Sequence, residues 1–286
     1  MTTLSPASFP ETLAERLAMP PAGDIRLYWL GQAGFAIVGD GYRIVIDPYL
    51  SDSLAEKYRG KHFEHERMMP APIRPADLGP VDLVLVTHQH TDHMDPETLG
   101  PLATASPACR FLVPRAAIEA AGTRIGVGDE RLIAIDAGEQ VEPLPGLRIT
   151  AVRAAHETLE RTAEGWHRFL GYVIETGGVR IYHSGDTIPF EGLAEEIAPL
   201  AIDLALLPVN GRSDELLKAG IAGNLTLEEA CRLAERIGAG DMIAHHYGMF
   251  AFNTADPAAI DAKSAAADCG AQVHRAKLSV EYRLSR

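Results

Sequence analysis

Apolar positions in this chain come in short runs broken by glycine, proline and aspartate, a spacing that predicts strand after strand. Ile25 to Leu30 and Gly34 to Val38 are two such runs, and Gly31-Gln32-Ala33 between them predicts a hairpin. Tyr42 to Ile46 predicts a third strand, ending at Asp47-Pro48. Val81 to Thr87 is apolar almost throughout, the pattern of a strand covered on both faces. Further strands are predicted at Arg110 to Val113, Arg131 to Ile135, Leu147 to Ala155, Leu170 to Glu175, Val179 to His183, Asp203 to Pro208, Asp241 to His246 and Lys277 to Leu284.

Two helices are marked by their caps. Asp95-Pro96-Glu97 offers an N-cap, a proline at the first helical position and an acid in the first turn. Thr226 and Glu229 form a capping box before a helix that runs to Ile237 and stops at Gly238. Residues 1–22 read as an extension with a short helical stretch near Glu11 to Met19, and residues 23–286 as one domain. Residues 51–80 are polar and proline-rich, a long connection of the sort that overhangs a site. The chain is therefore expected to be α+β. An αββα four-layer sandwich accommodates the pattern, as would other α+β layouts.

Composition narrows the class. Of 286 residues, 47% are hydrophobic, enough for a sizeable core, and 23% are charged, too few for global disorder. No apolar run approaches the roughly 20 residues that span a bilayer. The N-terminal stretch lacks a basic segment followed by an apolar one, so no secretory signal is expected. Cys109, Cys231 and Cys269 are odd in number and widely spaced, which suits a reducing compartment and predicts a cytoplasmic protein. The net charge of −13 disfavours a nucleic-acid footprint. A small-molecule substrate is expected, an anionic one included, because local arginines can reverse the field in one cleft.

The chemistry concentrates after the most apolar strand. His88-Gln89-His90-Thr91-Asp92-His93 sets three imidazoles and a carboxylate within six residues. Neutral imidazole nitrogen and carboxylate oxygen are the donors that divalent zinc, manganese or iron take. His88 and His90 at i and i+2 share a face on extended backbone and can reach one ion, while Asp92 and His93 can aim at a second. His156, Asp186, His245 and His246 each follow a predicted strand, where a rigid scaffold can hold a ligand. His62, His65, His167 and His274 read as surface or hydrogen-bonded core histidines.

This run, the later lone histidine, the Gly185-Asp186 pair after a strand and the histidine before Tyr247 resemble the metallo-β-lactamase superfamily. Trp29 to Phe35, Ile46 to Pro48, Tyr182 to Asp186, Asn210 to Arg212, Gly223 to Thr226 and His246 to Phe250 are similar to the branch containing the L-ascorbate-6-phosphate lactonase. The resemblance spans about residues 25 to 284. It implies a metallo-β-lactamase-like sandwich and a hydrolase with two divalent metal ions per chain, zinc or manganese ahead of iron. His88, His90 and His156 would hold one ion, and Asp92, His93 and His246 the other, with Asp186 bridging. His156 departs from the lactonase pattern and points to a more general two-metal hydrolase.

Two ions about 3.5–4 Å apart would acidify a shared water, and Asp92 would steer that water and pass on its proton. Asp47 and His183 are candidates to fix ligand histidines, Asp47 equally well read as an Asp-Pro turn. Asp95 is most simply a helix cap. Arg212 and Arg168 are candidates to bind an anionic group of the substrate, and Tyr247 to donate to an oxyanion or to pack. The expected substrate is a small ester, lactone or phosphorylated sugar-like molecule. The alternatives are a phosphodiesterase of the same fold and a non-hydrolytic metal-binding or di-iron protein. The resemblance also implies a homo-oligomer, which nothing else in the sequence demands.

Overall fold

The computed structural model describes residues 2–21 and 23–286. Its larger sheet contains β1 (Thr3–Ser8), β2 (Ile25–Gly31), β3 (Gly34–Gly39), β4 (Tyr42–Ile46), β5 (Leu83–Leu85), β6 (Arg110–Pro114), β7 (Leu132–Ile135) and β15 (Val280–Ser285). The second sheet contains β8 (Gln140–Leu144), β9 (Leu147–Arg153), β10 (Leu170–Thr176), β11 (Val179–His183), β12 (Leu204–Pro208), β13 (Asp241–His245) and β14 (Gln272–Arg275). Strand order is β1-β15-β2-β3-β4-β5-β6-β7 in the first and β14-β13-β12-β11-β10-β9-β8 in the second. The helices are α1 (Leu13–Leu17), α2 (Ser53–Lys57), α3 (Pro96–Ala105), α4 (Ile118–Ile125), α5 (Leu193–Ile197), α6 (Asp214–Lys218), α7 (Leu227–Arg236) and α8 (Pro257–Ala266).

Strict alternation along the first sheet explains why its strands read as unbroken apolar runs. Leu27, Trp29, Phe35, Ile37, Ile44, Ile46, Leu83 and Leu85 point inward to the core shared with the second sheet. Tyr28, Leu30, Ala36, Val38, Val45 and Val84 point outward to a second core under α1, α3 and α4. A strand covered on both faces needs apolar residues at every position. The inter-sheet core also takes in Leu193, Ile197, Leu233 and Ile237 from α5, α7 and its C-cap. Helices thus cover both outer faces, and the architecture is the αββα sandwich of the metallo-β-lactamase fold.

The segment read as an extension is part of the sheet. β1 pairs antiparallel with β15, and α1 starts at a capping box between Thr12 and Glu15. The boundary set at residue 22 lies outside the described residues. β1, β8 and β14, which the sequence pattern does not mark, are edge strands, and β1 and β8 carry prolines in their interior (Pro6, Pro143), which weakens the strand signal. Among the described residues no helix is long and apolar enough to cross a membrane.

In both sheets the parallel strands, β4-β5-β6-β7 and β11-β12-β13-β14, end at one edge of the sandwich. The loops leaving β4, β5, β9, β11 and β13 meet there, with residues 51–80 folded beside them. The backbone N–H of Met68 donates to Met249 O at 2.8 Å, and Arg67 Nη1 donates to the carbonyls of Tyr49 and Ser51 at 3.0 Å.

Candidate metal centre

β5 is pinned at its exit. Asp47, in the left-handed region at φ 44°, accepts from the Thr87 N–H at 2.8 Å and the Thr87 hydroxyl at 2.6 Å. The same carboxylate accepts from His93 Nδ1 at 2.7 Å, which turns His93 Nε2 toward the cleft. The chain then turns, with Met94 N donating to His90 O at 2.8 Å, and α3 begins at the Asp95 cap. Asp95 also accepts from the hydroxyls of Ser51 at 2.6 Å and Ser53 at 2.9 Å, tying the long connection to the site loop. Arg124 of α4 donates from Nη1 to Gln89 O and supports the loop from outside.

The second sheet supplies the other groups. His156 donates from Nδ1 to Gly223 O at 3.0 Å, again freeing Nε2 for the cleft. Gly185 precedes Asp186 at φ 60°, where a Cβ would lie 2.5 Å from Leu170 O, so only glycine fits. Its N–H donates to His183 Nδ1 at 3.0 Å, and His183 Nε2 donates to Ala33 O at 2.9 Å. His183 therefore shapes the turn that aims Asp186 and does not face the cleft. His246 adopts φ 60° and donates its backbone N–H to Gln32 O at 3.0 Å, while Gln32 Nε2 donates to Asp92 Oδ2 at 2.9 Å. His245 turns the other way, stacked on His183 and edge-on to Phe35.

These loops bring seven side chains together. Ligand-capable atoms of His88, His90 and His156, of His88, His93 and Asp186, and of Asp92, His93 and His246 lie within 4.8 Å of one another in each group. Asp186 sits between them, Oδ2 3.4 Å from both His93 Nε2 and His156 Nε2 and Oδ1 3.3 Å from His246 Nε2.

Charge and burial are poised for a cation. Burial, then repulsion from His93, holds His88 well below the usual imidazole range. Burial and His156 bring His90 down to about 4. Both rings are therefore neutral at pH 7, with lone pairs available. Burial disfavours charge on Asp186 and Asp92, but the neighbouring His246 and His93 outweigh it and hold both carboxyls below their usual range. His88 Nε2, His93 Nε2, His246 Nε2 and Asp186 Oδ1 are buried and make no hydrogen bond. Leaving such atoms unpaired costs about 1–3 kcal/mol each. A divalent ion taking imidazole nitrogen and carboxylate oxygen fits them.

Two expected substrate contacts are corrected. Arg212 makes a two-pronged ion pair with Glu229, at 2.6 and 2.7 Å, and donates to Asn224 O at 3.1 Å. It fastens the loop that presents Gly223 O to His156 and does not line the cleft. The Tyr247 hydroxyl donates to Ala276 O, and its ring stacks on Trp29 at 5.3 Å, so it packs in the interior. Arg168 lines a neighbouring hollow with His90, His156 and Phe169. The central cleft, about 240 Å³, instead meets Lys57, Tyr58, Arg124 and Phe252, which the sequence does not mark out, and His65, expected as a surface or hydrogen-bonded core histidine. The alternating aromatics Phe250 and Phe252 just after the terminal histidine were the available signal.

The two-sheet sandwich and this cluster at its edge define a class. The beta-lactamase superfamily domain matches residues 42–247, which hold all seven clustered side chains. The chain belongs to that superfamily, in the family of the UPF0173 metal-dependent hydrolases. It is 32% identical to the family's protein from Cupriavidus taiwanensis, over 73% of this chain and 71% of that one. It is also 32% identical to that of Polynucleobacter asymbioticus, over 66% of this chain and 65% of the relative's length. Among solved structures, the metallo hydrolase Igni18 of Ignicoccus hospitalis has the same fold, with TM-score 0.65, 23% identity, and 92% and 99% of the two chains covered.

Proposed function

We propose that the chain is a dinuclear metal-dependent hydrolase of a small ester, lactone or phosphorylated sugar-like substrate, lactonase-like in type and working in the cytoplasm. The observation that carries this reading is the set of buried, unpaired imidazole and carboxylate atoms converging on Asp186 from both sheets. His88, His90 and His156 would hold one cation and Asp92, His93 and His246 the other, with Asp186 between. Zinc and manganese suit this donor set. Such a pair supplies an acidified water and a Lewis acid for the substrate oxygen.

The protein's own groups do the rest. Asp47 and Gly223 O fix the Nδ1 protons of His93 and His156, so both rings present Nε2. Asp92, ionised and oriented by Gln32, would take a proton from the attacking water and deliver it to the leaving group. The cleft lies at or below the roughly 300–1,000 Å³ of ordinary ligand pockets, which favours a small molecule over a polymer. The three cysteines are buried free thiols, in keeping with a reducing compartment.

The test is a hydrolysis screen of small esters, phosphorylated sugar lactones and bis(p-nitrophenyl) phosphate, with zinc, manganese and iron measured in the same sample. About two zinc or manganese ions per chain and turnover of an ester or lactone are expected. A di-iron protein that hydrolyses nothing in the screen, or preference for the phosphodiester, would overturn the reading.

A further inference from the structure

The cleft has two unlike sides. One carries the His/Asp cluster. The other is a wall of rings contributed by the 51–80 connection and the segment after His246. His65 lies face to face with Tyr58 at 4.1 Å and edge-on to Phe250 at 4.9 Å and Phe252 at 4.8 Å. Phe250 and Phe252 are parallel at 5.8 Å. All four line the cleft, in a chain where only 6% of residues are Phe, Trp or Tyr.

Packing accounts for half of this wall. Phe250, 4% exposed, packs with Tyr49, Leu54 and Met249 in a small apolar cluster separate from the two main cores, and His65, 9% exposed, sits edge-on to it. Tyr58 and Phe252 pack against that apolar cluster without being sealed by it. Both are half-buried, and part of each ring stays on the cleft across from the cluster. Among the described residues lining the cleft, the carboxylates are Asp92 and Asp186, both in the cluster, so the wall itself carries no acid. An aromatic patch kept open to a cleft, with the Lys57 ammonium 5.2 Å from the Tyr58 ring centroid and ring edges left free beside it, suits a flat ring. Aromatic groups prefer edge-to-face or offset contact with one another, an advantage that a saturated ring lacks.

We infer that Tyr58 and Phe252 form a subsite for a flat aromatic group of the substrate. The class is therefore an aryl-bearing ester or lactone, with the ring on the wall and the scissile bond at the cluster. This deepens the hydrolase reading and rests on it only for the reacting end. The volume of about 240 Å³ suits one ring and a short ester arm.

Binding tests the subsite without turnover. Saturation-transfer NMR on the purified full chain compares 2-phenylethanol with 2-cyclohexylethanol. The saturated alcohol is the more hydrophobic, so burial alone favours it. Tighter binding of the arene by roughly two- to tenfold is expected. In Tyr58→Leu and Phe252→Leu, which keep apolar bulk for the connection, the preference should vanish, and in Phe252→Tyr it should persist. Equal or weaker binding of the arene by the unaltered protein, or a preference untouched by both leucine variants, overturns the inference. The kcat/KM ratio of 2-phenylethyl acetate to 2-cyclohexylethyl acetate should follow the same order. Arene-selective binding with no hydrolysis of either ester would overturn the hydrolase reading and leave the subsite standing.

Discussion

At the scale of single residues the site is governed by groups that set proton positions. Asp47 spends one oxygen on the Thr87 N–H and the other on the Thr87 hydroxyl and His93 Nδ1. Replacing a carboxylate that orients a metal-ligating histidine typically costs 10–100-fold in metal affinity. Asp47→Ala is therefore expected to weaken zinc binding by roughly that factor in chelator competition, and wild-type affinity would reduce Asp47 to a turn residue. Asp92→Asn removes the proton acceptor but keeps an oxygen for the cation. Turnover should fall by roughly 10²–10⁴-fold with most of the metal retained, and near-normal kcat would end its assigned role. The clustered histidines were legible because three imidazoles in six residues have no common structural use. Asp47 was legible only as an even choice, since an Asp-Pro turn and a tautomer lock look alike in sequence. The left-handed conformations of Gln32, Asp47 and His246 were not legible at all. Such conformations cost of order 1–3 kcal/mol each and arise from tertiary constraint, which local propensity does not encode.

At the scale of elements, α7 shows how a helix cap reaches the site. Glu229 closes the capping box with Thr226 and grips Arg212, whose contact with Asn224 O steadies the loop carrying Gly223. A Cβ at Gly223 would fall 2.1 Å from Arg212 Cβ, so that loop is pressed against its neighbour. Hydrogen bonds from Arg212, ahead of opposing burial, bring the Glu229 carboxyl down from 4.5 to about 2. A depressed folded-state value means stabilisation present above about pH 4.5 and lost as pH falls toward 2. Arg212 is 40% exposed, so solvent weakens the ion pair and the cap is the larger contribution. Glu229→Ala, which removes both the cap and the ion pair, should lower stability by about 1 kcal/mol at pH 7 and flatten the acid limb of the unfolding profile between those values. An unchanged acid limb in urea melts would show that the pair contributes nothing to folding. The box was legible because its spacing is local. The assignment of Arg212 to substrate failed because its partner lies 17 residues away, across a loop the sequence does not orient.

At the scale of the whole molecule, the candidate centre joins the two sheets. Asp47 and the His88–His93 loop leave β4 and β5 of one sheet, whereas His156, Asp186 and His246 follow β9, β11 and β13 of the other. The inter-sheet core beneath them is apolar, and at the edge where these loops meet the cluster leaves unpaired imidazoles around the buried carboxylate of Asp186. This long-range convergence was legible only through resemblance, because no local spacing brings residue 47 beside residue 246. A cation held by ligands from both sheets binds the folded state and has no equivalent site in the unfolded chain. Metal at one hundred times its dissociation constant adds about 2.7 kcal/mol. For a domain of this size each kcal/mol is worth roughly 2–4 °C in Tm. Stripping the protein with a chelator should therefore lower Tm by about 5 °C or more, and adding back zinc or manganese should restore it. The dependence should be lost in Asp186→Ala, which removes the group between the two triads, and kept in Lys57→Ala, a cleft residue without a metal donor role. A melting temperature indifferent to chelator and metal would mean that the seven side chains do not bind a cation across the sheets.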